Sequence, residues 1–495
     1  MLTGSVAGAA AVGVLASQVS EAASPSRSTR PLPVTHDPVL HAVRRLTFGA
    51  TPQLVAHVRK VGVSAWVDEQ LSGATDVGAT LHGTGLSSVP LPPAVSGPVM
   101  NELGHYGITD LQVQTFARAA FGDNQVYELM VELWTNHLSI YGAPFPQHKV
   151  VDDYTVIRKH ALGAFADMLA ASAQSPAMLL YLDQAYSRGN NPNENYAREL
   201  LELHTVGVKG GYHQRDVHNA ALALTGLSVD ETTGRFTYRA TWHHVGPVRV
   251  MGWSHPNRDQ RNGKAVALSL VSYLAHHPMT ANRIATKLVR RLVSDAPPAG
   301  LIASSAAVYR AHGTQIVPVI KHIVGSREFQ RSAGQKSQRP FEWFVQCVRA
   351  LGLQASPDLT TNGASIVYAL RQLGQAPFEW SPPNGYPDST SAYASTATML
   401  ARWNTVQTLV RGGYHGLQHV DATALVGAPV PSTVGGLVDR LSQVLLNGTP
   451  RADLKRAALT GVGLKASHVI DASAAHGLAL PVAALLLSSP EALVR

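Results

Sequence analysis

From residue 108 to 226 the apolar positions recur at helical spacing, and three predicted helices share one irregularity: a strong hydrogen-bonding group inside the apolar face. In 126–140, VYELMVELWTNHLSI, the face is Val126, Leu129, Met130, Leu133 and Trp134, and His137 continues its line. In 154–173 the face is Ile157, Ala161, Leu162, Phe165 and Leu169, with Arg158 inside it and His160 nearer the margin beside Asp167. The third helix, NPNENYARELLELHTVGV at 191–208, has both ends marked. Asn191 suits the N-cap, Pro192 the first helical position, Glu194 a capping-box-like start and Gly207 the stop. Its apolar face is Tyr196, Ala197, Leu200, Leu201 and Leu203, with His204 at the centre, while Asn195, Arg198, Glu199 and Glu202 take the opposite side.

A polar group at the centre of an apolar stripe needs a partner or it destabilises the fold. The expectation is that His137, Arg158 and His204 meet in one buried cluster. A buried arginine demands a carboxylate. Glu199, at the edge of its helix's apolar face, is the predicted partner. His137, Arg158, Glu199, Glu202 and His204 are thus the leading site candidates. Asn136, His160, Asn193, Glu194, Asn195, Asp216 and His243 are secondary ones.

The period changes after residue 232. TTGRFTYRATWHHVGPVRVMGW alternates and carries Gly/Pro punctuation, which predicts one or two β-hairpins near 232–253. Helical patterning resumes at 265 and returns in the Ala/Leu-rich last 90 residues. Residues 73–100 read as a Gly/Ser/Pro-rich loop, and FEWSPPNGYPDST at 378–390 is too rich in breakers to be helix. Trp380 and Tyr386 on that loop either line a ligand groove or cover the core. The predicted fold is mainly α, a multi-helix globular bundle with one small β-hairpin region. The predicted organisation is a tail (1–37), an N-terminal helical region (38–253) and a C-terminal helical region (254–495) packed on it as one unit.

Several of these segments together resemble the bacterial DUF1800 family of proteins of unknown function. They run in order: HAVRRLTFGAT (41–51), VELWTNHLSI (131–140), RKHALGAFADML (158–169), SPAMLLYLDQ (175–184), PNENYARELLELHTVGV (192–208), YHQRDVHNAALALTG (212–226), HPMTANRIATKLVRRLV (277–293) and NGYPD (384–388). The resemblance implies a mostly helical, generally exported bacterial protein and carries no activity with it. The chain departs from the family pattern twice. His243-His244 stands where the family more often has His-Asp, and His213 stands where it usually has Thr or Ser, which weakens the cap before Asp216.

Composition narrows the reading. A 495-residue chain that is 45% hydrophobic, with mean hydropathy near zero, can bury a large core. The single cysteine, Cys347, excludes an intrachain disulfide and reads as a small buried hydrophobe. Net charge is +8, which suits an anionic polymer or envelope partner. No Lys/Arg run or zinc-finger spacing points to nucleic acid. The densest basic stripe is Arg283, Lys287, Arg290 and Arg291, read as a solvated face or as partners for carboxylates before an anion site. Residues 4–16, GSVAGAAAVGVLA, with Ser20-Glu21-Ala22 behind them, resemble the later part of an export signal without its basic start, so the protein is expected to be exported. No strongly apolar span long enough for a transmembrane anchor follows.

Twenty-two histidines favour acid–base or metal chemistry mildly. No metal set is predicted: Glu202 and His204 fall about 160° apart on an unbroken helix, and no HExxH or closed zinc spacing occurs. A divalent metal is the minority reading, and no cofactor motif is present: GxSxG, Walker A and GxGxxG are all missing. The leading functional expectation is an exported helical protein whose buried network fixes packing, with a binding or assembly role at the cell envelope. The alternative is an exported hydrolase using the Glu/His/Arg cluster on a polymeric or polar substrate. Solvent access to the cluster separates the two.

Overall fold

The computed structural model describes residues 37–72 and 107–495, which fall within one compact unit, Val34–Arg495. Residues 1–36 of the tail, with its export-like segment, and the whole predicted 73–100 loop lie outside the described residues. The rest is mainly helical, with two small antiparallel hairpins.

Eight helices frame the site. They are α1 (Ile108–Phe121), α2 (Gln125–His137), α3 (Pro146–Asp152), α4 (Phe165–Ser172), α5 (Glu194–Glu199), α6 (Gln214–Leu224), α7 (Pro278–Leu292) and α8 (Pro340–Ala350). The apolar stripe of α2 is fully buried, as its periodicity predicts: Val126, Leu129, Met130 and Trp134 have no exposure. Burying each such side chain is worth roughly 1.5–3 kcal/mol. Proline at the first position starts α3, α7 and α8, where the missing N–H costs nothing. One large apolar core runs through all of these helices except α3. A small satellite of Leu111, Val150, Tyr154 and Phe378 sits under the 376–388 loop.

Three helical expectations need correction. The predicted 154–173 helix is broken: α3 runs into a π-helical turn, Asp153–Arg158, and the chain turns again before α4. The 126–140 helix stops at His137. The third helix starts later than its sequence suggests. Asn193, not Asn191, is the N-cap, and its side chain accepts from Asn195 N at 2.8 Å. Pro192 precedes the helix, and after Glu199 the chain widens into a second π turn, Leu200–His204. That turn ends where Thr205 Oγ1 donates to Leu200 O at 2.6 Å and Gly207 N donates to Leu201 O at 2.9 Å. Both bonds satisfy carbonyls that a helix end leaves open.

The β excursion falls where the alternation placed it. β1 (Leu227–Val229) pairs with β2 (Phe236–Tyr238), and β3 (Val248–Val250) with β4 (Trp253–His255). Cys347 is fully buried in α8, and burial pushes its thiol pKa up, so it serves as a core hydrophobe. Among the described residues, no helix is long and apolar enough to cross a membrane.

Candidate functional site

Arg158 is the organising cation. It is 3% exposed and ends the first π turn. Its Nη1 and Nη2 donate to the two oxygens of Glu128 on α2, at 2.9 and 2.7 Å, and its Nε donates to Asp153 Oδ2 at 3.0 Å. In an α-helix, residues five apart diverge by about 140° and cannot meet. The π turn, with its i→i+5 register, stacks Asp153 against Arg158. Tyr127 Oη donates to the Arg158 carbonyl at 2.7 Å, and Trp134 Nε1 donates to the Ala161 carbonyl at 2.8 Å, so α2 also satisfies the broken backbone. The predicted Arg158–Glu199 pair does not form. Arg158 already has two carboxylates, and no hydrogen bond joins it to Glu199, His137 or His204.

The two histidines do meet. His137 Nε2 lies 3.0 Å from the His204 carbonyl, and the rings are 6.4 Å apart. Both are buried among Trp134, Phe165 and Tyr196. Neither nitrogen of the His204 ring, nor His137 Nδ1, nor the Tyr196 hydroxyl has a partner among the described residues. Burial, then Lys287 and Arg283, push His204 down to about 3 and His137 well below its usual range. Both are therefore neutral at pH 7. The structure thus holds two buried clusters where the sequence predicts one. Glu128 and His137 anchor them on α2, nine residues or about 13 Å apart along the axis.

A cleft of about 650 Å³, counting its open mouth, lies on the Glu128 side of α2. Its floor includes Glu128, Glu132 and Asp153, and its far wall is the 376–388 loop with Phe378, Trp380 and Tyr386. That loop is pinned at many points. Asn136 clasps the Tyr386 backbone, its Nδ2 donating to the carbonyl at 2.7 Å and its Oδ1 accepting from the amide at 2.6 Å. Gly385 (φ +72) lies so close to the Asn136 carbonyl that a Cβ would clash at 2.1 Å. Trp380 Nε1 donates to Asn384 Oδ1 at 2.8 Å, Tyr181 Oη donates to Ser381 O at 2.6 Å, and Tyr386 Oη donates to Ala376 O at 2.8 Å. Asp388 closes the NGYPD motif by accepting from Lys336 Nζ at 2.9 Å. Phe378 holds φ +63, a strained value for a bulky side chain, and such outliers gather at ligand clamps. Trp380 and Tyr386, 4.9 Å apart ring to ring, therefore both line the cleft and belong to a fixed wall.

Behind the floor runs a buried ionic lattice that sequence reading missed. Glu132 Oε2 accepts from Arg291 Nη2 at 2.8 Å and from Arg339. Glu342 is bound by Arg291, by Arg339 at 3.2 Å and by Arg495 at 3.3 Å. Although burial opposes it, these three arginines hold the Glu342 carboxyl well below its usual range. The signal was present in the predicted basic stripe: Arg291 does find carboxylates, as one of its two readings expected.

The remaining candidates are mostly structural. Asn193 is a cap, and Glu194 binds Arg198, Gln214 and His218 on the surface between α5 and α6. Asn195 is exposed. Asp216 Oδ2 accepts from His213 N and its Oδ1 from Met251 N, both at 2.7 Å, so the carboxylate completes half of the cap that the His213 side chain does not make. His243 is buried between Thr225 O (2.8 Å) and Asn257 Oδ1 (2.9 Å), which ties the hairpins to α6. His160 is half-buried, and burial and Lys159 lower its pKa against the pull of Asp167. Glu202 accepts from Tyr212 Oη at 2.6 Å. Glu199 is half-buried beside Tyr181 and binds no described residue. Burial, then Glu202, raises its carboxyl pKa. Among the described residues no group of three His, Cys, Asp or Glu side chains is placed to hold a metal ion.

No curated protein and no solved structure matches the chain. A family model does, over residues 41–494, and it spans every helix and loop just described. The chain is a member of DUF1800, a family of proteins of unknown function.

Proposed function

We propose that this is a binding protein whose cleft takes a small, ring-bearing molecule with a hydrogen-bond-donating end. The carrying observation is the cleft itself, an aromatic wall facing a floor of carboxylates. Its lining combines aromatic rings with a few polar groups, as small-molecule sites do. General acid–base work needs a titratable group free to exchange a proton with the substrate. Both oxygens of Glu128 are held by Arg158, and Glu132 is held by Arg291 and Arg339. The histidines are sealed in the core. This favours recognition over hydrolysis. Glu132 is the more exposed floor carboxylate, and its Oε1, which no described donor reaches, can take the donating end of a ligand.

Binding of N-phenylnaphthylamine, a ring-bearing probe with one N–H, tests the reading by fluorescence. Saturable enhancement that disappears in Val131→Trp, which fills the cleft, and weakens in Trp380→Ala supports it. Enhancement indifferent to both changes sinks it.

Export remains part of the proposal and rests on residues 4–22. Recovery of an intact Met1 terminus from the cytoplasm would count against it. The hydrolase alternative has one observation in its favour. Glu199, with no partner among the described residues and with a raised pKa, is the carboxyl best suited to donate a proton. A polymer-hydrolysis screen in which wild type and Glu199→Gln behave alike removes that alternative.

A further inference from the structure

The cations around α7 fall into two classes. Those facing the core have built counter-charges: Arg291 binds Glu132 and Glu342, Arg339 the same two, and Lys336 binds Asp295 and Asp388. Those on the outer face do not. Arg283, Lys287 and Arg290 stand at i, i+4 and i+7 on one side of α7, and all three are half-buried. Arg283 Nε donates to the Leu203 carbonyl at 3.0 Å, at the end of the second π turn. Gly207 leaves this guanidinium room, since a Cβ there would lie 3.0 Å from Nη1. Lys287 and Arg290 make no hydrogen bond or ion pair with any described residue.

Three like charges within two turns repel one another, and partial burial deepens the cost. The groups facing Lys287 do not relieve it. Arg283 and Arg290 flank it on its own helix, and the buried, neutral His137 and His204 lie inward on α2 and the π turn. Asp388 acts on it favourably from the loop but is itself bound to Lys336. We propose that Arg283, Lys287 and Arg290 form a binding site for a phosphoryl anion, of the class a diphosphate represents. Two planar arginine forks around one compact ammonium suit phosphoryl oxygens, and the ridge spans about 10 Å along the helix, enough for two linked phosphoryl groups. The bound anion supplies the kind of counter-charge that the protein supplies to Arg291, Arg339 and Lys336. Burial first, then Arg283 and Arg290 against Asp388, bring the Lys287 ammonium down to about 7, and an anion would restore its proton. None of the three cations lines the cleft.

Calorimetric titration of the full chain with inorganic pyrophosphate at pH 7 and fixed ionic strength tests it. Saturable binding is expected, weakened about tenfold or more in Lys287→Met and in Arg290→Gln. Neither change removes a described partner, so both proteins should melt no lower than wild type. Arg261→Gln, an exposed control, should bind as wild type. Lysine methylation mapped by mass spectrometry gives a second readout: pyrophosphate should protect Lys287 in the unmutated protein. No saturable binding, equal weakening in the control, or no protection of Lys287 overturns the proposal.

Discussion

Arg158 and His204 are both buried, both set at the end of a π turn, and both packed against α2 or its end, yet the chain treats them in opposite ways. Arg158 keeps its charge and is given two carboxylates. His204 has no partner on either ring nitrogen among the described residues and gives up its charge. A buried ionisable group has only these two routes, pairing or neutralisation. Arginine cannot take the second, because its pKa is too high to release the proton. Imidazole can, at a cost of a few pH units of its titration range. The comparison explains why the carboxylates cluster on the Arg158 side and why the cleft, with its acidic floor, opens there.

The largest expected effect follows from pairing. Arg158→Ala strands Glu128 and Asp153 in the core and should cost about 3–5 kcal/mol. Glu128→Ala should cost a similar amount, whereas Glu199→Ala, which breaks no pair, should not. The double change Arg158→Met with Glu128→Leu should recover a large part of the loss, because an apolar pair needs no counter-charge. Urea melts of the four proteins measure this. A wild-type midpoint for Arg158→Ala would mean that the pair is not buried in solution.

This first cluster also marks what the sequence could and could not reveal. The apolar periodicity identified Arg158, His137 and His204 as core-facing, and all three are buried. It also placed the hairpins and the breaker-rich loop. It failed on the partner, because a 100° step was carried unbroken through residues 154–173. The π turns change that step: the first is held by Tyr127 from α2 and the second by Thr205 just beyond it, through contacts a helical wheel does not contain. Asp153, five residues before Arg158, would lie on another face of an unbroken α-helix and reaches Arg158 only through the π turn. Glu132 and Glu342 were invisible for another reason. Each looks like an ordinary surface glutamate until distant cations converge on it, Arg291 and Arg339 on Glu132 and Arg291 and Arg495 on Glu342. The NGYPD motif was legible as a loop, but its tie to Asn136 spans some 250 residues.

Neutralisation makes the next prediction, in acid. The folded-state value of His204, about 3, lies below the usual 6.5, and His137 is shifted the same way. As pH falls, the unfolded chain takes up these protons first. The stability due to the neutral imidazoles is therefore complete above about pH 6.5 and drains away toward pH 3, at up to about 1.4 kcal/mol per pH unit for each ring. His204→Leu should change stability by less than about 1.5 kcal/mol at pH 8 and should make the acid limb shallower. Thermal melts from pH 8 to 4 decide it. An unchanged acid limb would mean that His204 is charged or solvated.

The cleft wall should respond more weakly. Asn136→Ala removes two hydrogen bonds to Tyr386 and leaves its backbone groups unpaired, a loss of about 1–3 kcal/mol. The change should appear first as faster amide exchange at Tyr386, with Arg158 and its carboxylates undisturbed. Exchange that quickens equally at Arg158 would show that the loop and the ionic floor open as one unit.

Glu199 offers the smallest effect and the sharpest contrast, since it takes neither route. It is half-buried, has no described partner and lies near Glu202, so burial first and then Glu202 raise its pKa. A carboxyl raised on folding stabilises the native state at low pH, where it is protonated, and that contribution is lost as pH climbs through the raised value. Glu199→Gln should therefore raise the melting temperature slightly at pH 7 and leave it unchanged at pH 4. Solvent screening at this half-exposed position keeps the gain small. Differential scanning calorimetry at the two pH values can resolve it. A destabilised Glu199→Gln at pH 7 would reveal that the carboxylate has a cationic partner after all, and Glu199 would then join Glu128 among the paired charges.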